Sequence, residues 1–480
     1  MNRRPAMPGA ASTADLVREA TASKGEAGPR GRPSNFELDR AGPSERWIPP
    51  FLGLYLVYAV VRLAEVFPVL EIPKLQMIMM AVFLTTLVVF IPPAGWRVIW
   101  DASMPLRLVT ILFAISIVTI PLGIYMMGSL EFVRERYVVA VMVFFTCTVL
   151  LRDRRSFRMA LTVFVIGVAV VAAYALLTYD ITQYAFDRYG NPIPVEDVNL
   201  EQIRIRVGAS LDANDWGAVL ASTAPLALWL SIGSFTRRII FLPITALLII
   251  AVVPTGSRGT FLGLVAGGMV LITVGTKGWN RILTLSLITI AGVGFATVAT
   301  SGHLERFLDF GPDDYNLTNE GRWYFWRQGF VWMIKRPWGY GIGNFGTYFG
   351  WLNGPDRAAH SMWVQYGMEL GVAGLVAIVA LVRSLVKGLN RLRHRIGSGS
   401  AVDRADAILA GHMLAALAGM LVTGSFLSNA YYPLTYMILG LASAALLGRT
   451  NAVAPLQPEP RPDPTPRPGR RVRVSPMSRR

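Results

Sequence analysis

The sequence predicts an all-α integral membrane protein of about twelve transmembrane helices, and three observations carry that prediction. Of 480 residues, 53% are hydrophobic and only 16% are charged, too few polar side chains to cover a soluble globule of that size. Apolar runs of membrane-spanning length recur along the chain. The basic residues between those runs fall on alternate connectors, as the positive-inside rule requires.

The runs lie at about 47–67, 74–92, 105–127, 137–151, 158–178, 215–232, 239–255, 259–274, 282–300, 361–382, 406–427 and 431–448. Starting from an inside amino terminus, the inside connectors carry Arg97 and Arg107, then Arg152, Arg154, Arg155 and Arg158, then Arg237 and Arg238, then Lys277 and Arg281. The 383–404 connector follows with Arg383, Lys387, Arg391, Arg393, Arg395 and Arg404. This register puts both termini in the cytoplasm. Segments 1–46 and 449–480, rich in Pro, Gly or Arg, read as disordered tails, and 47–448 as the membrane domain. The first apolar run begins too late for a conventional cleaved signal peptide.

The net charge of +16 is spread over connectors of a membrane protein, which favours anionic lipid over nucleic acid as the partner. Cys147 is the sole cysteine, so neither an intramolecular disulfide nor a cysteine-cluster metal site is available. The histidines are not spaced as ligands on one helix face and no HExxH accompanies them. The expectation is a site with no metal and no cofactor.

Two outside segments are long enough to build a site, about 179–214 and 301–360. The first ends on Asp212-Ala213-Asn214-Asp215, where Asp212, Asn214 and Asp215 are each candidates to cap the following helix. The second is expected to hold a helix from Glu320 or Gly321 to Lys335, stopped by Pro337 and glycines 339, 341 and 343. Its Trp323, Trp326, Phe330 and Trp332 beside Arg322, Arg327 and Lys335 suit a helix at the membrane interface.

Arg206, Arg258, Arg322 and His360 fall on this same outer side. Guanidinium groups make bidentate, permanently charged contacts with phosphate oxygens, and an imidazole can accept a proton near neutral pH. Arg258 opens a helix behind a glycine-flanked turn, where backbone N–H groups favour an anion. Taken singly, each arginine is equally explained by snorkelling to lipid headgroups. Glu369 lies nine residues beyond His360, about half a turn around and roughly 13 Å deeper on a continuous helix, so it is expected to face the bundle interior rather than orient the imidazole. Gly367, Gly371 and Gly374 share a face at i, i+4 and i+7 and are expected to permit close helix packing.

These residues resemble the bacterial O-antigen ligase and O-antigen polymerase superfamily of multi-spanning membrane glycosyltransferases. Its ligases carry a histidine followed by Asn, Ser or Gln, nine residues, Gly, two residues, then Gly, Thr or Tyr. His360-Ser361, Gly371 and Gly374 fit that pattern. Arg258 and Leu262 match an Arg-x-x-x-Leu element, and Gly321-Arg322 through Pro337-Trp338-Gly339-Tyr340-Gly341-Ile342-Gly343 looks like the family's loop. The segment from Arg206 to Asn214 is similar to the family's arginine-and-asparagine segment. The matches run in family order over about 204–374.

The resemblance implies a donor glycan on undecaprenyl diphosphate and an acceptor sugar hydroxyl on lipid A-core or on a growing glycan, at the periplasmic face of the bacterial inner membrane. It implies His360 as general base, Arg206, Arg258 and Arg322 as diphosphate ligands, and Asn214 and Glu369 as supporting residues. Arg206, ten residues and Gly217 also satisfy an element described for polymerases, so an O-antigen or exopolysaccharide polymerase is the alternative. A transporter for a lipid-linked glycan or solute is a third reading, predicting ionisable residues converging at the midplane and two similar halves. Glu369 is the only such candidate, and no repeat is evident.

Overall fold

A computed structural model describes residues 43–70, 75–90, 93–178, 207, 212–275, 322–354, 356–394 and 401–448. Arg206, the run 282–300, the two tails apart from 43–46, most of the outside segment 179–214, and residues 301–321 and 355 of the second outside segment lie outside the described residues. The chain divides into a unit Met1–Ile48 and a unit Pro49–Arg480, and the packing and site contacts described below lie in the second.

Among the described residues the regular structure is helical. In chain order the helices are α1 Pro43–Val61, α2 Leu75–Phe90, α3 Pro93–Ala102, α4 Met104–Leu122, α5 Met126–Phe132, α6 Val138–Leu150, α7 Arg154–Leu177 and α8 Ala213–Leu230. They continue as α9 Phe235–Val252, α10 Arg258–Val270, α11 Arg322–Lys335, α12 Phe345–Asn353, α13 Met362–His394, α14 Ala401–Gly424 and α15 Pro433–Leu447. Each expected apolar run within the described residues falls in a helix. Among the described residues five helices are long and apolar enough to cross a membrane: Met104–Leu122, Arg154–Leu177, Phe235–Thr255, Met362–His394 and Asp403–Gly424. Four shorter apolar helices accompany them.

Boundaries differ from the expectation where charge was taken for a helix end. The run expected over 361–382 continues to His394, because Leu381, Leu385, Leu389 and Leu392 keep a buried stripe while Arg383, Lys387 and Arg391 occupy other faces. The stretch Val133–Tyr137, carrying Arg134, Glu135 and Arg136, forms a π turn that joins α5 to α6.

The core is built on α8, α14 and α15. Helix α8 is buried along nearly its whole length, as is α15, which fits helices apolar on every face. Outward faces of other helices present Ile111, Val118, Ile239, Ile250 and Val376, apolar side chains where a soluble protein places charges.

Helix α10 packs against α14 with almost no separating side chain. A Cβ on Gly263 would lie 2.0 Å from the Thr423 hydroxyl oxygen and 2.6 Å from the Gly419 carbonyl oxygen. One on Gly267 would lie 3.0 Å from the carbonyl oxygen of Ala415. Small residues four apart on both helices thus bring two backbones together. The contacts run antiparallel, so the start of α10 meets the end of α14, where the candidate site lies.

Candidate active site

Arg258 is held by a compact stop-and-restart between α9 and α10. Val253–Thr255 form one 3-10 turn behind α9, and Gly256 reverses the chain at φ 58°, a conformation glycine adopts without steric cost. Ser257 then caps α10: its Oγ accepts the Thr260 N–H at 3.4 Å and the Thr260 hydroxyl bonds it at 2.9 Å. Arg258 follows as the first helical residue, half-buried, so its guanidinium and the positive end of the helix add positive potential at one place.

The same Thr260 ties this turn to the start of α8, donating its hydroxyl to the Asn214 carbonyl at 3.4 Å. Of the three possible caps there, Asp212 fills the role, accepting the N–H groups of Asn214 at 2.7 Å and Asp215 at 2.8 Å. Asn214 therefore reaches the Arg258 turn through its backbone. A Cβ on Gly217 would lie 2.6 Å from the Thr260 hydroxyl oxygen, so this glycine has a packing reason of its own within the Arg206-to-Gly217 spacing.

His360 sits immediately before α13 in a left-handed conformation, φ 49°. Its N–H donates to Ser428 Oγ at 2.7 Å, and its carbonyl accepts from Trp326 Nε1 at 3.3 Å. The Phe325 ring stands 6.1 Å from the imidazole. Ala359 and Met362 on either side are buried, while His360 is itself half-exposed.

A second set of contacts joins His360 to Arg258. Trp326 packs on Phe426 with ring centroids 5.9 Å apart, and a Cβ on Gly259, next to Arg258, would lie 2.8 Å from Phe426 Cβ. Trp363 Nε1 adds a bond to Ser425 Oγ at 2.9 Å. Arg322 opens α11 one turn before Trp326, a rise of about 6 Å. The structure thus brings Arg258, the backbone of Asn214, the start of α11 and His360 around one connector, residues 425–432. Ser425, Phe426 and Ser428 were missed in the sequence, since uncharged residues around the end of an apolar run carry no chemical signature.

Glu369 is buried, as expected, and two backbone amides at the end of the glycine loop bond its carboxylate. Its two carboxylate oxygens accept the N–H of Gly343 at 3.0 Å and of Phe345 at 3.1 Å. Gly339, Gly341 and Gly343 all have positive φ, at 95°, 93° and 78°. Tyr340 and Gly341 donate to the carbonyls of Met368 and Glu369, both at 3.0 Å, and Val372 donates to Pro337 at 2.9 Å. This pairing requires a break in α13 at Gly371, which has φ 71° and ψ −169°. A Cβ there would lie 2.2 Å from the Pro337 carbonyl oxygen. The expected glycine stripe is corrected accordingly: Gly371 opens the helix to the Pro337–Gly343 loop, Gly374 meets Leu370 of its own helix and Gly367 meets Met333. The face at i, i+4 and i+7 does not exist across the break.

Among the described residues no three His, Cys, Asp or Glu side chains gather as a metal site. What the site offers is a half-buried arginine at a helix start and an imidazole on a clamped backbone. That combination suits an anionic leaving group and a hydroxyl proton.

The fold and site define a helical membrane protein with a polar site where helix ends meet one connector. Residues 243–379 match the family model described as O-antigen ligase, a span that includes Arg258, Arg322, His360, Glu369 and Gly371. The match supports an O-antigen ligase/polymerase-like family and a glycosyltransferase-like enzyme. No curated protein matches the chain.

Proposed function

We propose that the chain transfers a glycan from undecaprenyl diphosphate to a sugar hydroxyl of lipid A-core at the periplasmic face of the bacterial inner membrane. His360 takes the proton of the acceptor hydroxyl as its oxygen attacks the anomeric carbon. The bond from that carbon to the diphosphate oxygen breaks, and the electron pair leaves on the diphosphate. Arg258, with Arg206 and Arg322, neutralises the charge that builds there, the moment at which electrostatic stabilisation counts most. Glu369 supports the site at one remove by holding the Gly343–Phe345 amides.

The observation that carries this reading is the contact path His360–Trp326–Phe426–Gly259, which links the proton acceptor to the arginine at the helix start within the segment that matches the family model. A midplane transporter would want its ionisable groups in the bundle interior, and Glu369 there is already engaged by two backbone amides.

The test is complementation in cells lacking their own ligase, scoring glycan on lipid A-core against chain length on undecaprenyl diphosphate. Attachment to lipid A-core is expected. Longer undecaprenyl-linked chains without attachment would make the protein a polymerase. His360→Ala should abolish transfer at unchanged protein level, and Arg258→Lys should lower it by about tenfold or more, because a point charge replaces a bidentate fork. Full transfer by His360→Ala would end the base assignment.

A further inference from the structure

The connector between α14 and α15 lies beyond both the family match at 243–379 and the motifs read from the sequence, yet it holds the backbone of His360. A non-glycine residue at positive φ is rare and costs free energy, so the surroundings must over-determine it. Here two side chains from separate elements do so. Ser428 Oγ accepts the His360 N–H at 2.7 Å, and Trp326 Nε1 donates to the His360 carbonyl at 3.3 Å. Both backbone polar groups of the residue are therefore held by neighbours across the fold.

The consequence is directional. At φ 49° the Cα–Cβ bond leaves the chain on a different side from the one an extended or right-handed helical residue would use, so the sign of φ decides where the imidazole points. The bonds to Ser428 and Trp326 hold that sign. The connector is itself anchored: Trp363 Nε1 bonds Ser425 Oγ at 2.9 Å, the Tyr366 hydroxyl donates to the Ala430 carbonyl, and the Tyr432 N–H donates to the Asn429 carbonyl at 3.2 Å. Phe426 lies against both Trp326 and Gly259, so the connector that fixes His360 also borders the Arg258 turn.

We propose that Ser428, with Trp326, is a positioning residue for His360: together they clamp its backbone in the left-handed conformation that aims the imidazole at the acceptor hydroxyl. This rests on the reading of His360 as the base. A misplacement of about 1 Å at a reacting group can cost about a hundredfold in rate, and a freed His360 backbone is expected to relax by at least that much.

The experiment uses the full-length protein reconstituted in liposomes, an undecaprenyl-diphosphate oligosaccharide as donor probe and lipid A-core from ligase-deficient cells as acceptor. Ser428→Ala should lower kcat about tenfold to a hundredfold while KM for the donor stays within about twofold, since nothing in the clamp touches diphosphate. Ser428→Thr, which keeps the hydroxyl, should restore most of kcat. Trp326→Phe keeps a ring against Phe426 and loses only the N–H, and it should fall between the two. Wild-type kcat in a well-inserted Ser428→Ala, or a loss confined to donor KM, overturns the proposal. If Ser428→Ala does not insert, Trp326→Phe decides in the same way, wild-type kcat again counting against. His360→Ala separates the two ideas: an active His360→Ala removes the base itself, whereas an inactive one beside an active Ser428→Ala removes only the clamp.

Discussion

At His360 the chain carries a conformation that costs an L-residue other than glycine about 1–2 kcal/mol. The site keeps it because the imidazole would otherwise point elsewhere. The strain predicts an opposition between stability and activity that is measurable at this one position. His360→Gly should be more stable than His360→Ala by about 1 kcal/mol, seen as a higher midpoint in thermal unfolding in detergent, with transfer absent from both. Equal midpoints would mean that the strain is no larger than the backbone entropy a glycine loses on folding.

His360 and Arg258 were legible in the sequence because each is a reactive or charged side chain beside a helix-starting signal, and residue type alone announces that. Ser428 was not, because a serine acquires meaning only from the backbone it is brought against. Gly371 was read as part of a packing stripe because periodicity assumes an unbroken helix. The break follows from Gly339 and Pro337 pressing their backbones on α13, a contact between segments more than thirty residues apart. Arg206 and the side chain of Arg322 belong to the same sequence reading, and their part in the site stands on that reading alone.

Between residue and molecule, the elements explain why Arg258 arrives where it does. Helix α10 reaches the connector because Gly263 and Gly267 let it lie on Ala415 and Gly419. Thr423 can turn away from an added methyl group, but the Gly419 carbonyl belongs to the backbone of α14 and cannot without moving that helix. Gly263→Ala should therefore destabilise by about 1–3 kcal/mol, the usual cost of overpacking. It should also reduce transfer beyond what its stability change explains, since it pushes the Arg258 turn away from Phe426. A variant that loses stability yet keeps full kcat would show that the α10–α14 spacing does not set the site.

The same helices show how far hydropathy carries a sequence reading. Existence and type of the helices on apolar runs were legible, and α11 was legible from its stop signals, whereas α3 and α12 lie outside every run and were not. The extent of α13 was not, because Arg383 and Lys387 mark where a helix leaves lipid rather than where it ends. The buried leucines at 381, 385, 389 and 392 were the signal that continues it, read at a period of 3.6 instead of by a hydropathy window.

Over the whole Pro49–Arg480 unit, helix α14 measures the distance between two ends. Near its start the Asp406 carboxylate, almost fully buried, pairs with Arg154 at 2.5 Å, joining α14 to the start of α7. Just beyond its end lie Phe426 and Ser428 with Arg258 and His360. The 18 steps from Asp406 to Gly424 rise about 27 Å at 1.5 Å per residue, close to the roughly 30 Å hydrocarbon core of a bilayer. An ion pair of a buried carboxylate and an exposed guanidinium at one end and a half-exposed imidazole at the other are thus separated by about one membrane thickness.

By the positive-inside rule Arg152, Arg154, Arg155 and Arg158 predict that the Arg154 end faces the cytoplasm and the His360 end the periplasm. Both assignments are tested together by single-cysteine labelling. Cys147 is buried, so Cys147→Ala gives a background without reactive thiols. On that background Arg357→Cys, at an exposed position three residues before His360, should react with a membrane-impermeant maleimide in intact spheroplasts. Arg155→Cys, exposed at the start of α7, should react only after the membrane is permeabilised. Labelling of both cysteines from the same side would contradict a site facing the periplasm. Reversed labelling would put His360 in the cytoplasm, away from any lipid-linked glycan already carried across the membrane, and would remove the donor and acceptor proposed here while leaving the contacts of the site intact.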